Sequence, residues 1–424
     1  MITDHTITDD RGWVMMLLVE LLTILSGKDS TTAKADVYAR WEKLVRLMGI
    51  TDDAEGTTSR QKKDRIWSNM LFMLWFLFGS LRMGFSSMIT SHFGITDCDY
   101  CMGQTLSRSG NTSKLIEAAA GLSVLQAACY RLACVHLIHK GDMIFMRTVR
   151  GITQQPVSGG AKRGIGHRVL VVAVAAIRLV SLSCIFMFSG MLLFNIRSSQ
   201  SITEMICWAF WYTQDLMVVI TAVVDTFILP SIWIITVLSY KKELESLLNR
   251  VEQMIASKHR SHNRMQLVEM IGSYNSLVQR SVTVNQLSSH VLFVMISCTT
   301  PIVTVCLFTA LYSDNLFFNI AMPLAGGTVA LAAYTLLAVA ANITSKSDII
   351  HHALCTMAVR TRLTARQRHL LLRVIEENGC EKQPLALYTL DGQKYTSESF
   401  LLYVIECALQ YLLLLTFDGY FKLH

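Results

Sequence analysis

Residues 205–239 read MICWAFWYTQDLMVVITAVVDTFILPSIWIITVLS, an apolar run whose only charged residues are Asp215 and Asp225. About 20 consecutive apolar residues are enough for a helix to cross the roughly 30 Å of hydrocarbon in a bilayer. The run continues through Tyr240 into residues 241–258, where leucine, valine and methionine recur at helical spacing. This stretch therefore predicts a membrane-spanning helix that extends beyond the bilayer as an amphipathic helix.

Six further apolar runs reach or approach the length of a membrane span. The 424-residue chain is 52% apolar and only 16% charged, whereas soluble proteins carry about 25% charged residues. None of the runs shows the alternating pattern, about ten residues long, of a strand in a membrane barrel. We therefore predict an all-α integral membrane protein with seven transmembrane helices. The six additional runs are residues 66–88, 115–138, 169–196, 287–312, 316–343 and 400–417.

Lysine and arginine are distributed unevenly between the two sides of these spans. Thirty of them fall within residues 27–65, 140–168, 241–280 and 346–394, against four in the alternate loops and the C-terminal tail. Because positive charge accumulates on the cytoplasmic side, we expect a cytoplasmic N-terminus and an extracellular C-terminus. This orientation is the reverse of that of a G-protein-coupled receptor. The net charge of +7 follows from the same asymmetry and does not require a nucleic-acid partner.

The segments predicted to lie inside the cell are long and helical in pattern. Their apolar stripes need a packing partner. We therefore expect a cytoplasmic bundle made of the inner ends of spans four, five and six and the helix before span seven. The predicted domains are a cytoplasmic segment at 1–65, six spans with their extensions at 66–343, a cytoplasmic helix and loop at 344–396, and a seventh helix with an extracellular tail at 397–424.

Motifs in the last third of the chain resemble the insect gustatory and odorant receptor superfamily, and its gustatory branch in particular. Tyr274-Asn-Ser-Leu277, Val284-Asn285-Gln-Leu-Ser and the closing Leu311-Tyr312 are similar to the fifth helix of that superfamily. Its closing signature of Thr-Tyr, a hydrophobic run and Gln-Phe resembles residues 384–392 followed by residues 400–417. Two positions depart from it, because Gln410 stands where the family has Thr and Phe417 stands where it has Gln.

The resemblance implies a ligand-gated, non-selective cation channel in the plasma membrane, built as a tetramer of identical or related subunits. A small-molecule tastant, which is a sugar, a bitter compound or an amine, would bind in the outer half of each subunit. Permeant cations would then pass through a central pore lined by the last helix. No cofactor is implied. A relative with a non-sensory role and a secondary transporter are the alternatives, although the chain lacks the internal repeats typical of many transporters.

The last span carries a polar stripe, in which Glu406 and Gln410 follow Tyr403 at helical spacing. These two side chains either face the pore or form hydrogen bonds to a neighbouring helix. Leu414 is our candidate for the closed gate, since a ring of leucines excludes water from a narrow pore. Phe417 follows at the end of the signature. Asp418 either attracts cations at the outer mouth or is a solvated residue at the helix end.

Aromatic residues and a carboxylate follow one face in the outer half of span four. They are Trp208, Trp211, Tyr212 and Asp215. Such a group suits a sugar, through ring stacking and hydroxyl hydrogen bonds, or an amine, through cation–π contact and charge. The alternative is an aromatic belt at the membrane surface, but it does not account for a carboxylate about 16 Å along the helix. Span six is expected to supply the opposite wall from Phe317, Phe318 and Met322.

Three other charged residues are predicted to be buried in the inner half of the membrane. Arg131, Arg178 and Asp225 lie at similar depths, about 24–32 Å from the outer ends of their helices. Two arginines around one aspartate indicate a structural ion pair between helices. The competing transporter hypothesis would instead use Arg178, Asp215 and Asp225 as a coupled site.

Motifs for an enzyme or a metal site do not appear in the sequence. There is no glycine-rich phosphate loop, no His-Glu-x-x-His and no Gly-x-Ser-x-Gly. Cys98 and Cys101 share a predicted outer loop and form either a disulfide or a local pair of thiols. The chain is therefore expected to be a non-enzyme without a bound metal.

Overall fold

The computed structural model describes eight helices and the loop before the last of them. Eight helices make up almost all of the described part. They are α1 (Ser59–His92), α2 (Ser113–Lys140), α3 (Ile165–Ser198), α4 (Ile202–Ala256), α5 (Arg264–Tyr312), α6 (Leu316–Arg360), α7 (Ala365–Gly379) and α8 (Glu398–Lys422). The described residues are 41, 42, 44, 45, 59–92, 113–140, 165–199, 201–256, 264–312, 316–360, 363–379 and 384–422.

Seven of these helices are long and apolar enough to cross a membrane, and only α7 is not. The predicted all-helical, seven-span architecture is confirmed. Helices α4, α5 and α6 contain 55, 49 and 45 residues, so at about 1.5 Å per residue they measure roughly 70–80 Å. That is more than twice the thickness of the hydrocarbon layer. The prediction that these helices continue beyond the bilayer is therefore also confirmed, whereas the side on which each terminus lies stays a prediction.

The chain divides into two compact units, and the first comprises residues 1–82, 88–105 and 127–231. Its described part contains most of α1, the second half of α2, all of α3 and the first half of α4. Apolar side chains such as Phe76, Leu170, Ile177 and Ile228 are buried in it. Because α3 is apolar on almost every side, it also leaves large residues exposed, as a helix in contact with lipid would.

The second unit comprises residues 83–87, 106–126 and 232–424. The apolar stripes predicted to need a partner are buried here, including Leu244 and Val251 of α4, Leu267 of α5 and Leu354 of α6. The extensions therefore form the predicted helical bundle.

Helix α7 begins with reciprocal capping, because Gln367 N donates to Thr364 Oγ1 at 3.3 Å and Thr364 N donates to Gln367 Oε1 at 2.9 Å.

A loop between α7 and α8 is held against this bundle by hydrogen bonds between side chains of α4 and α5 and the backbone of the loop. Tyr240 donates its hydroxyl to Leu385 O at 3.1 Å. Asn285 donates through Nδ2 to Ala386 O at 2.8 Å and accepts from Tyr388 N at 3.0 Å. The segment from Leu385 to Leu387 is consequently buried although it has no regular secondary structure.

This loop reverses direction immediately before the last helix. Residues Tyr388 and Lys394 form an isolated antiparallel bridge, and Gly392 has a φ of +84°, a conformation that favours glycine. Burial, together with the nearby Asp391 carboxylate, raises the pKa of the Tyr395 phenol above its ordinary value. The chain thus enters α8 from a fixed turn.

Candidate ligand site and pore helix

The first half of α4 brings the predicted aromatic residues together within the first unit. Trp208, Tyr212 and Asp215 follow one another at helical spacing and all three are buried, whereas Trp211 is half-buried on the neighbouring face. The rings of Trp208 and Tyr212 lie 6.0 Å apart between centroids. The structure therefore packs this group into the unit and does not spread it along an exposed surface.

The Asp215 carboxylate has a partner that the sequence interpretation did not identify. Arg82 of α1 forms an ion pair with it, and both side chains are almost completely buried. The Cζ atom of Arg82 also lies over the ring of Trp211, 4.6 Å from its centroid, a distance within the range of a cation–π interaction. Asp215 is therefore charge-neutralised inside the protein.

Contacts from α3 and from the start of α4 fix the orientation of the two buried aromatic rings. Asn195 donates through Nδ2 to the Tyr212 hydroxyl at 2.7 Å, and Phe188 meets the Tyr212 ring edge-on at 6.2 Å. At the start of α4, the Trp208 indole donates to Glu204 Oε1 at 3.5 Å. This part of the unit thus combines aromatic faces with several polar groups, which is the composition of a small-molecule site.

The predicted opposite wall of the site is only partly within the described residues. The side chains of Phe317 and Phe318 lie outside them, and Met322 of α6 is half-buried in the second unit. A ligand site that joins these residues to the α4 group stays a prediction. Cys98 and Cys101 also lie outside the described residues, so their pairing stays a prediction too.

A second buried ion pair occupies the core of the first unit. Arg131 of α2 donates through Nε and Nη2 to the two carboxylate oxygens of Asp225, at 2.6 and 2.7 Å. Its Nη1 donates to Asn69 Oδ1 at 2.7 Å, and its Cζ lies 4.6 Å from the centroid of the Phe72 ring. This arginine therefore connects α1, α2 and α4, and its charge and its hydrogen bonds are matched in a site that excludes water.

The prediction that Arg178 joins this cluster requires correction. Its side chain is exposed, whereas the buried face of α3 is formed by Leu170, Ala173, Ile177 and Ser181. Arg178 directly follows Ile177, so it is rotated by about 100° from that face. Arg178 was predicted to lie at a depth similar to that of Asp225, but its side chain points to an exposed face of α3.

The last helix leaves most of its apolar surface exposed within a single chain. Glu406 is exposed, and Gln410 and Leu414 are half-buried. Tyr403, in contrast, is buried and donates its hydroxyl to Thr299 Oγ1 of α5 at 3.3 Å. The side chains of Phe417 and Asp418 lie outside the described residues. The exposed large side chains are Leu401, Leu402, Val404, Ile405, Leu409, Leu412 and Leu413.

Two of the residues missed by sequence reasoning carried a readable signal. Arg82 stands within the apolar run 66–88, so it raises the same question of a buried partner as Arg131 and Arg178. Asn69 lies in the same run and accepts a hydrogen bond from Arg131, which also forms the ion pair with Asp225. Both lie on α1, the helix from which the sequence interpretation assigned no site residue.

Comparison with known proteins identifies the architecture. No protein-family profile and no curated protein matches the sequence. The insect olfactory receptor OR5 from Machilis hrabei in complex with eugenol is 12% identical with a TM-score of 0.52, over 90% of this chain and 100% of that chain. A second structure of the same receptor gives the same identity and score over 90% and 99% of the two chains. The chain therefore has the seven-helix fold of an insect olfactory receptor.

Proposed function

We propose that this protein is a subunit of a ligand-gated cation channel of the insect odorant and gustatory receptor type, located in the plasma membrane. The observation that carries the proposal is the match to the full length of the olfactory receptor OR5. A small molecule, eugenol, is bound in that receptor's structure. The motifs around Asn285 and in residues 400–417 favour the gustatory branch, in which the ligand is a tastant.

The ligand is proposed to bind beside the α4 aromatic group in the outer half of the subunit. Trp208 and Tyr212 supply flat apolar faces, and the polar groups around them supply hydrogen-bonding partners. A bound ligand opens the pore only if it binds the open state more tightly than the closed state. We expect this difference in affinity to come from the contacts of Tyr212 with Asn195 and Phe188, which change if a ligand moves the ring.

The pore is proposed to form between copies of α8 in a tetramer of identical or related subunits. A membrane helix with an exposed apolar surface needs lipid or another subunit beside it, and α8 has such a surface. Glu406 and Gln410 would bring polar groups to a water-filled path, because an exposed carboxylate on a membrane helix is costly in contact with lipid. Leu414 would close that path.

Whole-cell recording from cells that express this chain alone tests the proposal. We expect cation currents evoked by members of a panel of sugars, bitter compounds and aromatic alcohols. Leu414→Ala is expected to raise the current measured without ligand, because it removes bulk from the gate. Leu412→Ala is the matched control, since Leu412 is an exposed leucine of the same helix, on a different face.

Three outcomes would count against the proposal. Ligand-evoked flux without single-channel events would indicate a transporter. Equal leak in both leucine variants would remove Leu414 from the gate. Surface-expressed protein without current for any ligand, alone and with related receptor subunits, would indicate a relative with a non-sensory role.

A further inference from the structure

The ion pair between Arg82 and Asp215 changes which ligands the proposed site accepts. Asp215 is the carboxylate at the inner end of the α4 aromatic group, and a carboxylate beside aromatic rings is suited to a cationic amine. In the structure that charge is already matched by the Arg82 guanidinium, and both side chains are almost completely buried. The inner end of the aromatic group therefore carries one positive and one negative charge.

The guanidinium also occupies the aromatic surface that an amine would use. Arg82 lies over the ring of Trp211 at 4.6 Å, so this cation–π position is filled by a side chain of the protein. An incoming ammonium group must either approach the positively charged guanidinium of Arg82 or separate Arg82 from Asp215. Separating them leaves a buried guanidinium without its carboxylate, which is strongly unfavourable.

We propose that the ligand of this site is a neutral, hydroxyl-bearing molecule, and that Arg82 excludes cationic amines from it. The inference rests on the proposed ligand site in the outer half of the subunit. A neutral molecule leaves the ion pair intact and would contact the rings of Trp208 and Tyr212, which are buried in this structure and must move to admit it. Specificity then comes from the repulsion of the wrong ligand as well as from the attraction of the right one.

Among the described residues of α4, Glu204 is a second acidic side chain beside the same aromatic group. Glu204 stands at the outer end of α4, eleven positions before Asp215, so it lies about 16 Å away along the helix. It is buried and accepts the indole N–H of Trp208 at 3.5 Å. An amine held by Glu204 would contradict the proposal, and Glu204→Gln would then reveal it by removing the binding.

Three aromatic probes of similar size and different charge provide the test: 2-phenylethanol, 2-phenylethylamine and phenylacetate. Binding to the full-length protein in lipid nanodiscs is measured as the concentration-dependent rise in Tm, because a ligand that binds only the folded state stabilises it. A panel of neutral sugars is measured in parallel, which distinguishes a sugar from an aryl alcohol. This measurement does not require the pore to open.

The unmodified protein is expected to bind a neutral probe and neither charged one. Arg82→Met frees Asp215 and should increase the affinity for 2-phenylethylamine by about tenfold or more. Asp215→Asn removes the carboxylate partner of Arg82 and should increase the affinity for phenylacetate by a similar factor. The double variant Arg82→Met/Asp215→Asn is the shape-matched control, in which both gains should disappear.

The proposal is overturned if 2-phenylethylamine stabilises the unmodified protein as well as it stabilises Arg82→Met, or if no neutral probe binds. Where Arg82→Met does not yield folded protein, Asp215→Asn with phenylacetate decides the question by itself. Binding of a neutral probe without any evoked current would contradict the channel proposal while leaving the ligand assignment intact.

Discussion

Replacing Arg131 with methionine is expected to destabilise the protein far more than the same replacement at Arg178. Arg131 donates three hydrogen bonds, two to Asp225 and one to Asn69, and covers the Phe72 ring. Methionine leaves the buried Asp225 carboxylate without a counter-charge. Removing one partner of a buried pair costs about 3–5 kcal/mol, whereas an exposed side chain such as Arg178 contributes about 0.5 kcal/mol or less.

The assay is the thermal unfolding of each variant in nanodiscs of one lipid composition. A change of 1 kcal/mol shifts the Tm of a large domain by about 2 °C, so Arg131→Met should lower it by roughly 6–10 °C. Arg178→Met should leave it within about 1 °C. The double variant Arg131→Met/Asp225→Leu removes both charges and should recover most of the loss, because a buried ion pair adds little over well-packed apolar residues.

Two results would refute this reasoning. If the double variant is as unstable as Arg131→Met, the loss comes from packing and not from an unmatched charge. If Arg178→Met is the more damaging single variant, then Arg178 faces a partner subunit or a lipid headgroup whose contact outweighs the buried pair.

Two further predictions concern the second unit. Gly326→Ala should lower the free energy of unfolding by about 1–2 kcal/mol, and with it the Tm. The reason is that the new Cβ would lie 3.0 Å from Cys306 Cβ of α5. Gly327→Ala is the control and should not lower the Tm, because beyond its own helix backbone and chain neighbours no atom of the described residues lies within 4 Å of its Cβ, and alanine favours a helix over glycine. Asn285→Ala should accelerate hydrogen exchange at the Tyr388 amide, which loses its acceptor. Asn275→Ala changes an exposed asparagine of the same helix and should leave that amide protected.

The number of spans and the length of the inner helices were predictable because both depend on composition along the chain. A run such as 205–239 is too apolar for water, and residues 241–258 carry a stripe with a clear helical period. The position of a residue along the axis of its helix can likewise be counted from the sequence, since each residue adds about 1.5 Å. That arithmetic was sufficient to bring Arg131 and Asp225 to one depth, where the structure pairs them.

The direction of a side chain around its helix was not predictable in the same way. Helix α3 is apolar on nearly all sides, so its pattern does not indicate which face is buried, and Arg178 was assigned to the wrong one. The aromatic group of α4 presents the same difficulty, because its burial depends on Phe188 and Asn195 from another helix. The partner of Asp215 likewise comes from α1, 133 positions earlier in the chain.

The two ion pairs of the first unit share a helix, and this determines how its neighbours are aligned. Asp215 and Asp225 both lie on α4, ten positions or about 15 Å apart. Asp215 receives Arg82 from α1, and Asp225 receives Arg131 from α2. Sliding either helix along α4 would leave a buried aspartate and a buried arginine without partners, at a cost of several kcal/mol each. A matched pair adds little net stability, so we expect the two pairs to favour this alignment of helices by making the misaligned arrangements unfavourable.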